Sequence, residues 1–320
     1  MIEEEINQKW ESELKAKFKS KIDALIKESS KNFDEKLNDF EKDIHNKIDM
    51  SFRENKLKSQ MNKVCRNLAN NNYGNNLINA VLLCLCNIRP FALFFLDKAN
   101  ENKGKNYFSL FVELLDDLWI KVGDKFEPRL IHNQLKENNG KIYKSKNPGV
   151  IINFFLSKLH EELNSDNTKI SEEFFVKYKN GKSPLINLNI RKGANSIISD
   201  GHFNLLDDNA DIDEINNNIL IINLNRERDP LHLLKIDYPE NLELKIKGEI
   251  KKYELISVLF KTNIKINDEI NYSEPPKYKV CFKNFLTQKW YSYDQNIESI
   301  KIKDILYDTQ KALVLVYNKK

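Results

Sequence analysis

Asn70 to Phe91 reads NNNYGNNLINAVLLCLCNIRPF, and the fold turns on this stretch. An Asn-rich turn holding one glycine, Gly74, runs straight into an apolar segment of helical length that Pro90 closes. A loop feeding a helix N-terminus is where a nucleophile gains from the positive end of the helix dipole. Taken alone, the stretch reads first as an ordinary cap followed by a buried helix.

Upstream, no Gly or Pro precedes Gly74 and Pro90, so nothing there breaks a helix. Apolar residues recur at Ile2, Ile6, Trp10, Leu14, Phe18, Ile22, Ile26, Phe33, Leu37, Phe40, Ile44, Ile48 and Phe52. Steps of three and four define one helix face, and the other faces are dense in Lys, Glu and Asp. The spacing predicts one long helix, or two in succession, from residue 2 to about 68. Its mean step lies nearer 3.8 than 3.5, which argues against a regular left-handed coiled coil. Residues 1–64 are therefore read as a charged amphipathic helical arm, packed on its own body or serving self-association or a protein partner.

Downstream, Tyr107–Val122 and Val150–Asn164 carry helical periodicity, the second entered after Pro148 and Gly149. The texture then changes. FFVKYKN, PLINLNI, NILIINLNR, LELKIKG, KYELISVLFK, KYKVCFKN, KWYSYD and KALVLVYN are short runs rich in β-branched and aromatic residues. Turn signals such as Asn180-Gly181 and Pro275-Pro276 punctuate them. Helices first and strands later predict an α+β body with an antiparallel sheet.

Composition narrows the classes. The 51 basic residues against 47 acidic leave a net charge of +4, too thin an excess to indicate nucleic acid or an anionic membrane as partner. The 42 Asn, with abundant Lys and Ile, look more like codon bias than chemistry. No apolar run approaches the ~18–20 residues that span a bilayer. The start, MIEEEINQKW, lacks the apolar block of a signal peptide. Cys65, Cys84, Cys86 and Cys281 form no CxxC pair, so neither a disulfide framework nor a zinc site is indicated. The expectation is a soluble intracellular protein, in cytoplasm or nucleus, with no metal or cofactor.

Generic catalytic motifs are missing: no P-loop, GxGxxG, GxSxG or HExxH. His45, His132, His160, His202 and His232 are scattered without metal-ligand spacing, and each is read as a surface or partly buried polar residue.

The Asn70–Phe91 stretch resembles the opening box of the ubiquitin-specific proteases, N-x-G-N-T-C-Y-M-N-A-V-L-Q-C-L. VIINFFLSKLHEELN is similar to the second box of that family, and NILIINLNR to its L-I-I-H-L-K-R strand. DYPENLEL and KYELISVLFK resemble the following strands. PKYKVCFKNFLTQKWYSYDQ resembles the closing G-H-Y … W-Y-x-F-D-D box, and KALVLVY the final strand. The resemblance covers about residues 65–320, in the family's order. It implies a papain-like cysteine-protease fold, with a helical thumb half and an antiparallel-sheet palm half. It also implies ubiquitin or a ubiquitin-like protein as partner. The zinc-bearing fingers insertion of larger members is missing.

The departures concern the Cys–His–Asp triad that the resemblance implies. Aligned backward from Asn79-Ala80, the cysteine position falls on Asn76. Aligned forward from Asn72, it is deleted or becomes Leu77. Lys277 stands at the histidine position, and Asp294 keeps the acid. Asn71 or Asn72, depending on register, falls at the oxyanion-side Asn, which also reads as a turn cap. A carboxamide does not ionise to a nucleophile, and a lysine near its usual pKa of ~10.4 is protonated at pH 7. The expectation is a catalytically inactive scaffold, with a Lys277–Asp294 ion pair in place of the catalytic dyad. A first alternative is an active thiol-dependent deubiquitinase using an unaligned cysteine. A second is the splicing-associated inactive branch, whose box N-N-I-K-A-N-D-Y-A-N-A-V-L aligns without a gap to Asn70–Leu82.

Overall fold

The computed structural model describes residues 19–21, 33, 36–37, 40, 44, 51, 53–69, 76–97, 106–123, 125–163, 174–178, 181–189, 212–215, 217–226, 236–246, 249–262, 277–294, 296–307 and 311–320. The chain divides into two compact units, Met1–Ser59 and Gln60–Lys320. In the first, all the described residues are helical. Phe33, Leu37, Phe40 and Ile44 repeat at steps of four, three and four and are all exposed. The helix does not run to 68 as its periodicity predicts: helical residues end at Gln60, and Asn67–Leu68 form a strand.

The elements of the second unit follow in chain order. Strand β1 (Asn67–Leu68) precedes helices α1 (Asn76–Cys86), α2 (Arg89–Asp97) and α3 (Tyr107–Trp119). Then come β2 (Lys125–Phe126), α4 (Arg129–Asn138), α5 (Gly140–Tyr143) and α6 (Pro148–Glu162). The sheet half holds β3 (Val176–Tyr178), β4 (Gly181–Ser183), β5 (Ile186–Asn189), β6 (Ile212–Glu214), β7 (Ile219–Asn225), β8 (Asn241–Ile246) and β9 (Glu249–Lys261). It closes with β10 (Tyr278–Lys283), β11 (Trp290–Tyr293), β12 (Ile297–Ser299), α7 (Ile302–Tyr307) and β13 (Ala312–Lys319). The α+β body is thus present, with each of the three expected helices and eight expected strands in place.

Every residue of α1 is buried, so its sequence is apolar all round rather than on one stripe. It packs on β10, β9, α2 and α6. Each large aliphatic side chain buried in this way contributes about 1.5–3 kcal/mol. Pro90 does more than close α1: it sits in the first turn of α2, which leaves at 83°. Among the described residues no single helix is long and apolar enough to cross a membrane.

The main sheet runs β12-β11-β10-β9-β13-β7-β5, with β8 also pairing β9. All pairings are antiparallel except β5 with β7, which is parallel, a departure from the expected antiparallel sheet confined to one edge. A smaller sheet, β4-β3-β6, is built from strands that lie in sequence between α6 and β7. Between α2, α3 and α6, Phe91, Phe95, Phe111 and Phe155 form a ring cluster with centroids 4.6 to 5.9 Å apart.

Local capping fixes the helix ends. Asn106 Oδ1 accepts from the Ser109 backbone N–H at 3.0 Å. Glu162, at the end of α6, accepts from the backbone N–H groups of Tyr107 and Phe108 at 3.1 and 2.7 Å. A carboxylate from one helix thereby neutralises the positive end of another. Asn147 caps α6 by accepting from Gly149 N–H at 2.9 Å, with Pro148 at the first helical position.

Gly149 is where α6 meets the sheet. A Cβ there would lie 2.4 Å from Asn223 Cγ on β7. The Asn223 side chain is buried and donates to Asn187 Oδ1 at 2.8 Å. Gly149→Ala adds helix propensity worth up to ~1 kcal/mol, but forces that amide to move. The clash wins: the substitution is expected to destabilise by about 1–3 kcal/mol, read from the urea midpoint. Unchanged or raised stability would show that Asn223 yields freely.

Candidate functional site

The site forms where the helical half meets the sheet half. Asn76 occupies the first position of α1 and is almost fully buried. Its Oδ1 accepts a hydrogen bond from the backbone N–H of Tyr278 at 3.2 Å, bridging 202 residues of sequence. Tyr278 opens β10 and directly follows Lys277. The structure thus brings the first residue of α1 against the first residue of β10, next in sequence to Lys277. Asp294 follows immediately on β11, which pairs with β10 through Val280↔Tyr293. Its Oδ1 is buried. The expected Lys277–Asp294 ion pair is not formed among the described residues. Asn71 and Asn72 lie outside the described residues, as do His45, His202 and His232.

Asn79, one helical turn after Asn76, anchors the start of α1. Its Nδ2 donates to the Ala69 carbonyl at 3.3 Å, and its Oδ1 lies 2.8 Å from His132 Nε2 on α4. The amide oxygen can only accept, so Nε2 carries the proton. His132 is buried, against the expectation of a surface or partly buried residue. Burial lowers its pKa to about 4, with Glu127 opposing weakly, so the ring is neutral at pH 7. Sequence reading missed both α4 and this contact. The signal was weak: α4 is mostly polar, and only Ile131, His132 and Leu135 are buried.

All four cysteines are free and buried. Burial pushes the Cys65 thiol up to about 12 and the Cys84 thiol up to about 11. It drives Cys86 well above 9.0, helped by the neighbouring Cys65 and Cys84. Cys84 Sγ donates to Ser257 Oγ at 3.4 Å, and Ser257 Oγ donates to the Cys281 carbonyl at 3.0 Å. Cys65 and Asn87 share a second buried contact, at 3.7 Å from Nδ2 to Sγ. These thiols behave as small apolar residues with local polar contacts. Among the described residues no group of three His, Cys, Asp or Glu side chains is placed to hold a metal.

The strands around the site are tied to the helical half by side chains. Tyr293 Oη donates to the Leu68 carbonyl at 2.8 Å. Tyr278 Oη donates to the Lys146 carbonyl at 3.0 Å, just before α6.

The same architecture recurs in known proteins. A solved yeast splicing factor superposes with a TM-score of 0.58 at 16% identity, covering 80% of this chain and 69% of that one. The SAGA Ubp8/Sgf11/Sus1/Sgf73 DUB module bound to ubiquitin aldehyde gives 0.57 at 14% identity, with 80% and 69% covered. A further structure of that DUB module gives 0.56 at 17% identity, with 80% and 67% covered. At these identities the likeness establishes the fold. No curated protein matches by sequence. The family profile of the ubiquitin carboxyl-terminal hydrolases, however, matches residues 65–317, most of the chain. That match covers well over half of the chain, and the chain belongs to the ubiquitin carboxyl-terminal hydrolase family.

Proposed function

We propose that this protein is a catalytically inactive family member that acts by binding. Its partner in this reading is ubiquitin, a ubiquitin-like protein or another protein, held in cytoplasm or nucleus. The contact between Asn76 Oδ1 and Tyr278 N–H carries the reading. In this reading Asn76 stands at the position of the thiolate, and Lys277, next in sequence to Tyr278, at that of the imidazole. Cys65, Cys84 and Cys86 lie in apolar surroundings that hold each thiol protonated, which weighs against rescue by any of them. The exposed stripe Phe33, Leu37, Phe40 and Ile44 supports a second role, in which the arm recruits a protein or a second copy.

The deciding test is incubation of the purified chain with ubiquitin bearing a C-terminal electrophile. No covalent adduct is expected. Labelling that disappears on changing one cysteine would overturn the inactive reading and identify the nucleophile. Titration with unmodified ubiquitin then tests the binding claim, and silence at high micromolar concentration would remove ubiquitin as the partner. The splicing-associated reading is favoured by one observation, the gapless match of Asn70–Leu82 to that branch. The fold shared with a yeast splicing factor is compatible with it.

A further inference from the structure

The described residues of the arm are helical, and Phe33, Leu37, Phe40 and Ile44 are 66, 45, 61 and 37% exposed on it. Their steps of four, three and four are the spacing of a helix-pairing seam. Large apolar side chains left open along one helix face mark an interaction surface. Lys19, Lys21 and Lys36 are helical and exposed on the same arm.

Charge along the arm alternates in blocks. Residues 1–14 hold five acidic side chains and one basic, and residues 15–31 hold six basic and two acidic. Residues 32–50 then hold six acidic and three basic, and residues 51–59 three basic and one acidic. Two copies laid parallel and in register set every block against its own sign. Two copies laid antiparallel with stripe on stripe set 32–50 against 32–50, again acid on acid. An antiparallel pair centred near residue 31 instead sets 1–14 against 51–59 and 15–31 against 32–50, so every block meets the opposite sign. The same register puts Phe40 opposite Ile22 of the second copy, and Ile44 opposite its Phe18. Lys19, Lys21, Glu41 and Asp43 each adjoin one of these apolar positions, at the flank of the seam, and face one another as Lys19 with Asp43 and Lys21 with Glu41. Phe18, Ile22, Glu41 and Asp43 lie outside the described residues and are placed by sequence register alone.

We propose that the arm is a self-recognition element: residues 33–44 of one chain pack antiparallel on residues 18–29 of a second copy, and the two-fold symmetry of the pair repeats the seam. This rests on the recruiting role given to the arm in the proposed function, and narrows it to one partner. A foreign protein would have to bring a basic amphipathic segment, which residues 15–31 of this chain already supply. The mean step of the arm argues against a long regular supercoil, and a short pair of straight helices at a shallow crossing angle requires none.

The test is sedimentation equilibrium of the full chain at low and physiological salt. A dimer that weakens as salt rises is expected. Phe40→Glu should weaken it at least about tenfold by placing a carboxylate in the seam. Lys19→Glu with Lys21→Glu, and separately Glu41→Lys with Asp43→Lys, should each weaken self-pairing at least about tenfold. Mixing these two variants should restore pairing, since each supplies the sign that the other has lost, and restoration also shows that both fold. A monomer at high micromolar concentration, a dimer indifferent to Phe40→Glu, or a mixture no tighter than its separate components would each overturn the proposal. So would a Lys19→Glu, Lys21→Glu chain that pairs more tightly with the native chain than with the reciprocal variant, the result a parallel pair gives. Ubiquitin labelling and titration are run alongside. A monomer that resists the electrophile and binds ubiquitin removes this inference and keeps the scaffold reading; a dimer that labels at a cysteine does the reverse.

Discussion

Asn76→Cys is expected to create the one reactive thiol of this protein. Cys84, with its thiol near pKa 11, holds on the order of 10⁻⁴ of its population as thiolate at pH 7, and its burial shields even that. A thiol at position 76 would sit at the first turn of an eleven-residue helix with no acidic residue there. Lys277 adjoins its hydrogen-bond partner Tyr278. Helix N-termini and neighbouring cations bring cysteine pKa values to about 3.5–7.5. Alkylation by iodoacetamide at pH 7 should then exceed that of the native thiols by on the order of 10³-fold or more. The pH dependence of the rate reads the thiol pKa directly, without requiring that ubiquitin bind. Adding Lys277→His supplies the imidazole of the family pattern, and that double variant should also react with the ubiquitin electrophile if ubiquitin is the partner. A thiol pKa at 76 of 8.5 or above would remove the position from the nucleophile site and undo the alignment on which inactivity rests.

Acid should weaken the fold through His132. The ring titrates near 6.5 when unfolded and at about 4 when folded, because burial disfavours the imidazolium. Between those values the unfolded chain binds more protons, so stability rises with pH across the window and is lost as pH falls through it. The full difference corresponds to about 3 kcal/mol, complete once the pH lies below the folded value. His132 is buried, packed against Tyr143 and bonded to Asn79. His132→Gln keeps an N–H for Asn79 but cannot titrate. Urea midpoints from pH 7 down to 4 should fall more steeply for the native chain than for this variant, by roughly that amount. Parallel curves would mean that the folded ring protonates freely. The expected loss would also loosen α1, since Asn79 lies one turn from Asn76.

Much of the fold was legible in the sequence because the patterns were long. α1, α3 and α6 each carry enough periodic residues to be seen, and β7, β9, β10 and β13 are dense in β-branched and aromatic side chains. Short elements were not legible. The two-residue strands β1 and β2 have no periodicity of their own; Arg66 holds them together by donating to the Gly123 and Lys125 carbonyls at 2.9 and 2.7 Å. The arm was expected to run past Gln60 because no Gly or Pro precedes Gly74, yet the chain leaves the helix there without a breaker residue. The parallel edge of the sheet was invisible because strand direction is not written in strand composition.

By itself the sequence determined the family boxes, their order, and the identities Asn76, Lys277 and Asp294, because residue type and spacing are properties of the chain alone. Only the tertiary structure decided what those residues touch: Asn76 meets the backbone of Tyr278, and Asn79 meets Ala69 and His132. The physical reason is that charge and hydrogen bonding act over a few ångströms. The groups that share that distance come from segments separated by up to two hundred residues, which only packing brings together.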